Sequence, residues 1–173
     1  MQIAVTPTNG TQLAALWRQA PDITREELLR TITECDLLTQ DELMQKLPKG
    51  AGGLHGAGIV GSLFTEEQPL ADNVIGLVAS NRPEAEYLET GTRPHAVGKA
   101  GIRSIMDWVE ARIGLHDEEA EGMAYGIGWK IFHHGTAAQP VWQETYVRLQ
   151  GEYRAEFEAC AQRITERLVG QPA

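Results

Sequence analysis

Apolar residues recur at steps of three and four along most of this chain and alternate only in its middle third. The clearest run is Trp142, Tyr146, Leu149, Tyr153, Phe157, Cys160, Ile164 and Leu168. That spacing keeps one face for about 27 residues and predicts a helix roughly 40 Å long. Its other face mixes charge: Glu144 with Arg148 and Arg148 with Glu152 are i,i+4 pairs, each worth a few tenths of a kcal/mol. A stripe this long exceeds what a small core covers. Part of it is therefore expected to pack on a neighbouring subunit, the alternative being burial wholly within the monomer. Two further helices precede it. Ile102, Ile105, Met106, Val109 and Ile113 form one stripe, ended by Gly114. Ala120, Met123, Ala124, Ile127 and Ile131 form the next, with Asp117, Glu118 and Glu119 placed to complement the helix dipole. Gly122 and Gly126 lie one turn apart in that helix, which predicts close approach of another backbone there. His133 and His134 fall in its last turn.

Toward the N-terminus, Leu13, Leu16, Trp17 and Ala20 share a helical face that Pro21 is expected to end. Thr24-Arg25-Glu26-Glu27 reads as a capping box, with Thr24 as N-cap and Glu27 at N3. Leu28, Ile32 and Cys35 continue on one face, and a second box at Thr39–Glu42 predicts a new helix or a kink before Pro48. Residues 2–6 read as a short edge strand or extended arm, and Asn9-Gly10-Thr11 as a turn and cap. Residues 49–58 hold five glycines and read as a flexible connection. Residues 59–65 and 74–79 are short strand-type runs that predict an antiparallel hairpin with an acidic tip, and residues 85–90 predict a third strand. Three strands and a covering helix are about the minimum for a stable sheet. The expected fold is α+β: a small antiparallel sheet packed against several helices, with a long C-terminal helix, in one domain.

Composition narrows the class. The chain has 173 residues, 42% hydrophobic, and a formal net charge of −9. This fits a globular protein and not a disordered one. No apolar run of about 18 residues is present, so no membrane span is expected. Nor does the N-terminus carry the basic flank and apolar stretch of a secretory signal. Cys35 and Cys160 sit in helical patterns and are expected to be reduced and buried. A protein that grips DNA is usually basic, because affinity comes from neutralising phosphates, so sequence-specific nucleic-acid binding is not expected. An acidic wall would suit a conduit that lets a polyanion pass, through repulsion within about a Debye length of 8 Å. Acidity for solubility is the simpler account.

Candidate chemistry is sparse. His55, His95, His116, His133 and His134 form no ligand pair at i,i+4 spacing, and neighbouring His133 and His134 point about 100° apart on a helix. No Gly-x-Ser-x-Gly elbow and no phosphate-binding Gly-x-x-x-x-Gly-Lys-Ser/Thr loop occurs. Gly56-Ala57-Gly58-Ile59-Val60-Gly61 matches Gly-x-Gly-x-x-Gly, but it follows a loop and leads into a strand, so the dinucleotide reading fails on context. Glu86 and Glu89, taken as strand residues, fall on opposite faces and cannot work as a pair. No catalytic residue, metal or cofactor is expected. The alternative from another class is a small metal-dependent hydrolase using His95, His133 or His134 with a carboxylate.

Two stretches are specific. Tyr87-Leu88-Glu89-Thr90-Gly91-Thr92-Arg93-Pro94-His95 reads as a strand ending in a tight turn and an arm, with Gly91 supplying positive φ and Pro94 holding Arg93 extended. Gly135-Thr136-Ala137-Ala138-Gln139-Pro140-Val141-Trp142 reads as a helix junction, with Gly135 closing one helix and Pro140 opening the next. Residues 92–101 have no apolar period and read as a mobile arm made basic by Arg93, His95 and Lys99, suited to docking on an acidic partner surface.

These two stretches resemble the aromatic-x-Glu-x-Gly-Thr-x-Pro-His and Gly-Thr-x-x-x-Pro-aromatic segments of the bacteriophage head–tail joining and tail-completion proteins. The likeness extends in order and layout over roughly residues 24–168. The family's Thr-Gly-x-Leu-(Arg/Lys) stretch is replaced here by Gly52-Gly53-Leu54-His55-Gly56. The resemblance implies a structural virion protein, made in the host bacterial cytoplasm and assembled as a ring in the neck around the DNA conduit. It implies partners that are other copies of itself, the portal or connector proteins and the tail terminator or tail tube. DNA would pass without sequence-specific binding, and no membrane is involved. A hexamer is the expected count for tail-side proteins of this kind and a dodecamer for head-side ones. The expected interface residues are Tyr87, Glu89, Gly91, Arg93, Pro94, His95, Lys99, Gly135, Pro140 and Trp142. Glu66, Glu67 and Asp72, in the expected hairpin tip, are the candidates to face the channel.

Overall fold

The computed structural model describes residues 10–48, 58–69 and 73–169, with side chains from residue 18 onward. The expected strand at 2–6, most of the glycine-rich connection, and Asp72 lie outside these residues. The order of elements is α1 (Gly10–Lys46), a single 3-10 turn (Val60–Ser62), β1 (Leu63–Pro69), β2 (Val74–Ser80), α2 (Pro83–Thr90), α3 (Lys99–Arg112), α4 (Asp117–His134) and α5 (Val141–Val169). β1 and β2 pair as a two-stranded antiparallel sheet. The fold is α+β with a long C-terminal helix.

Three expectations about elements are corrected. Pro21 does not end a helix, because α1 runs through it, and neither Thr24 nor Thr39 begins a new one. Proline in a helix interior costs roughly 3 kcal/mol, so burial on its C-terminal side must outweigh it. Ile23, Glu27, Thr31 and Cys35, each one turn beyond the last, are all buried. Second, residues 85–90 form a helix, not a third strand. Pro83 occupies its first turn, where the missing N–H costs nothing, and Glu84 and Glu86 complement the dipole there. Third, Lys99, Ala100 and Gly101 belong to the first turn of α3, so of the expected arm only residues 92–98 lie between helices.

By internal contacts the described residues fall into two compact units. The first draws on the described residues within 1–37, 66–77 and 149–173, and the second on those within 38–65 and 78–148. In the first unit the buried line of α1 is half polar. Glu27 accepts from Arg163 Nε at 2.9 Å and from Arg167 Nη1 at 2.8 Å, and Arg163 Nη2 donates to Thr31 Oγ1 at 2.8 Å. Arg167 reaches Glu26 as well, at 2.8 Å. Arg167 first and Arg163 second hold the Glu27 carboxyl below its ordinary value. Glu27 is therefore a buried ion-pair partner and not a capping residue. Cys35 and Cys160, both buried thiols outside any disulfide, belong to this unit. Burial, and then the nearby Glu156, Asp36 and Glu34 charges, push the Cys35 thiol up to about 11. Neither thiol is expected to react with a disulfide reagent at pH 8 until the unit opens, and both should be released on denaturation.

The core of the second unit is Leu43, Leu47, Ile59, Ala85 and Val141, with Val60, Leu63, Val78, Leu88 and Trp142 packed against it. At its edge Ser62 Oγ donates to Ile59 O at 2.8 Å, so the 2.6 Å contact with Ser80 must have Ser80 as donor. Ser80 Oγ accepts in turn from Arg82 N at 3.2 Å, which fixes the chain between β2 and α2. α3 lies against α4 through the small residues Ala120, Ala124 and Gly128. A Cβ on Gly128 would come 2.6 Å from Ile102 Cδ1, so the close approach of backbone is made here. Gly122 and Gly126, expected to make it, have nothing within 4 Å of an added Cβ.

Candidate functional site

The two sequence stretches singled out above meet. α2 and α4 each end at a glycine with positive φ: Gly91 at φ 71, whose N–H bonds Tyr87 O at 2.9 Å, and Gly135 at φ 69, whose N–H bonds Ile131 O at 2.8 Å. Each glycine is followed by a threonine, and the two threonines pair in an antiparallel bridge. Thr92 N donates to Thr136 O at 3.1 Å, and Thr136 N donates to Thr92 O at 3.2 Å. Their hydroxyls lie 3.0 Å apart, and Thr136 N also reaches Thr92 Oγ1 at 3.1 Å. Two helix C-termini thus lock reciprocally through matching Gly-Thr steps. The backbones approach so closely that a side chain on either glycine would strike the other strand of the bridge.

Glu89 completes the junction. Its carboxylate accepts from Trp142 N through Oε2 and from Gln143 N through Oε1, both at 3.0 Å. These are two of the donors that a helix start leaves unsatisfied, and a negative charge there complements the dipole of α5. Gln139 N donates to Leu88 O at 2.7 Å, so the linker into α5 is held to α2 on both sides of the cap. Pro140 precedes α5 rather than opening it, and its carbonyl accepts from Glu144 N at 2.9 Å. Trp142 packs on the core of the unit. Capping by a side chain is worth about 0.5–2 kcal/mol. Glu89→Ala is accordingly expected to lower stability by about 1–2 kcal/mol in urea unfolding, without changing helix content at low denaturant.

The expected interface residues therefore divide. Glu89, Gly91, Gly135, Pro140 and Trp142 build the junction itself. Tyr87, Arg93, Pro94, His95 and Lys99 are exposed around it. His95 Nδ1 lies 2.9 Å from Arg93 O, which ties the ring to its own backbone. Thr92 and Thr136 carry the bridge and were not expected. The repeated Gly-Thr step in the two stretches was the signal for them. Glu66 and Glu67 lie in β1, not in a hairpin tip, and alternate between exposed and half-buried faces. Among the described residues no three His, Cys, Asp or Glu side chains converge as metal ligands would, and no helix is long and apolar enough to cross a membrane.

The other unusual group is Asp36, in the first unit. It is buried, and its Oδ2 has no hydrogen-bond partner. Burial, with the Glu67 charge adding to it, pushes its carboxyl up to about 6. A Cβ on Gly76 would fall 2.5 Å from both Asp36 oxygens and 2.6 Å from Ile32 Cγ2, so β2 comes against α1 here because residue 76 has no side chain. Nothing in the sequence pattern marks this contact. Comparison with protein-family models, curated proteins and solved structures gives no match for this chain.

Proposed function

We propose that this protein is a structural component of a tailed bacteriophage virion, assembled from copies of itself as a ring in the neck and joining or completing the tail at the head. The observation that carries the reading is the meeting of its two family-like stretches in one junction. Residues 87–95 and 135–142 are far apart in sequence, yet they share a bridge, a cap and a linker bond. This is what a fold-defining signature would do, and it gives every internal residue of the motif a structural reason. The exposed remainder, Tyr87, Arg93, Pro94, His95 and Lys99, is basic in an acidic chain and surrounds the junction. Such a rim suits docking on an acidic neighbour. The hydrolase reading would need His95, His133 or His134 to meet carboxylates in a metal-ligand group, and no group of three or more such side chains is found among the described residues.

The test separates assembly from folding. Arg93→Ala with His95→Ala changes exposed side chains only, so the urea midpoint is expected to stay within about 0.5 kcal/mol of the parent. The same variant is expected to block head–tail joining in an infected cell. Normal infectious particles from it would remove the docking role. Mass spectrometry of purified virions should find the chain, and electron microscopy of the purified protein or the neck should show rings. A monomer absent from particles would point instead to a cytoplasmic regulatory protein.

A further inference from the structure

α4 turns two different faces to its surroundings. Ala120, Ala124 and Gly128 are buried on the α3 side. On the opposite side Gly122, Tyr125, Trp129 and Phe132 follow one another at steps of three, four and three, the spacing of a helix–helix seam. Tyr125 is 58% exposed, Trp129 64% and Phe132 51%, a concentration of aromatic surface that isolated surface residues do not make. The rings are gathered: His133 lies 4.3 Å from Trp129 and 4.9 Å from Phe132, centre to centre. Gly122 and Gly126 leave a notch beside Trp129 that nothing in the described chain fills. Glycine in a helix interior is costly, and here the cost brings no packing among the described residues.

We propose that this face docks against the same face of a second copy, with the two α4 helices antiparallel. Charge selects that occupant. The helix begins with Asp117, Glu118 and Glu119 and ends with Lys130, His133 and His134. A parallel pair would set acid on acid, while an antiparallel pair sets each acidic end beside the other's basic end and opposes the two dipoles. A twofold axis between Tyr125 and Gly126 then brings Trp129 of each copy over the notch at Gly122 of the other. Glu118 and Glu119 fall beside His133 and Lys130. The large side chain meets the gap, and the charges meet their opposites, in one register. An isologous contact of this kind closes at two copies. It is thus distinct from the contacts a ring would need and does not rest on the virion reading.

Sedimentation of the purified full-length chain tests this. Trp129→Glu and Gly122→Leu are each expected to halve the mass of the purified species, whether that is two copies or a multiple of two, while the far-ultraviolet spectrum stays unchanged and the thermal midpoint loses its dependence on protein concentration. Lys130→Glu alone is expected to weaken association at least tenfold, and Glu119→Lys added to it should restore most of that loss. A mass that Trp129→Glu leaves unchanged would overturn the proposal. So would a parent protein that is a single copy at millimolar concentration, or one whose Trp129 face binds lipid vesicles without self-association. Failure of the charge swap to restore association would overturn the antiparallel arrangement.

Discussion

Gly135→Ala is expected to be the most damaging single-methyl change in the described chain, costing at least about 3 kcal/mol in urea unfolding. Two effects add. Gly135 has φ 69 and ψ −159, a region essentially closed to residues with a Cβ, where strain alone runs to about 1–3 kcal/mol. The new methyl would also overlap the Thr92 carbonyl oxygen. That oxygen accepts the bond from Thr136 N and cannot retreat without breaking the bridge. Gly91→Ala should behave similarly. Its Cβ would sit 2.6 Å from Thr136 O and 2.8 Å from Ala138 N, at φ 71 and ψ 178. Gly114 provides the comparison. It too has positive φ, at 79, but nothing lies within 4 Å of an added Cβ, so Gly114→Ala is expected to cost only about 1 kcal/mol. Equal midpoints for Gly135→Ala and Gly114→Ala would mean that the Thr92–Thr136 bridge does not form.

Stability of the first unit is expected to rise as pH falls from 8 to about 5, by about 1–1.5 kcal/mol, through Asp36. Its folded carboxyl titrates near 6 against an unfolded value of 3.8. The folded state therefore binds more protons between those values, and stability falls with rising pH across that window. Between about pH 6 and 5 the window covers about one unit of that shift, at about 1.4 kcal/mol per unit, and the remainder is gained only on further acidification. The sign is opposite for Glu27. Its carboxyl is held below 4.5 by Arg167 and Arg163, so its contribution is present above that value and is lost as acid protonates it. The unit should thus be most stable between the two titrations. Asp36→Asn should flatten the slope between pH 5 and 8 and leave the acid limb intact. Native-state labelling of Cys35 and Cys160, normalised to the denatured protein at each pH, reads this directly, because both thiols are buried in that unit. An unchanged slope in Asp36→Asn would assign the pH dependence elsewhere.

Periodicity located the helices with strong apolar stripes. The ends of α4 and α5 lie within a residue or two of the expected ones, α3 begins three residues earlier than expected, and Gly114 and Gly135 close helices as read. It failed where burial and hydrophobicity part company. On α1 the inward line is Ile23, Glu27, Thr31 and Cys35, and two of those four positions look solvated in a sequence. Their partners, Arg163 and Arg167, are more than a hundred residues away, so a buried ion pair was read as a capping box. On α5 the apolar stripe was also imperfect. Tyr146 and Phe157 are exposed, while Val141 and Thr145 are buried one position earlier. Residues 85–90 show the weakness of local strand preference, since Tyr87 and Leu88 suit a strand but Pro83 and the first-turn glutamates decide for a helix.

The sequence by itself determined the class of the fold, the glycine ends of α3 and α4, the long C-terminal helix and some of the residues of the junction. These follow from local rules: repeat spacing, the φ range open to glycine, and the missing N–H of proline. Only the tertiary structure decided that Gly91-Thr92 pairs with Gly135-Thr136, that Glu89 caps a helix beginning more than fifty residues later, and that Asp36 is buried against Gly76. Each of these joins groups distant in the chain. A backbone hydrogen bond or a buried carboxylate is set by what comes near it in space, and no periodicity along the chain encodes that.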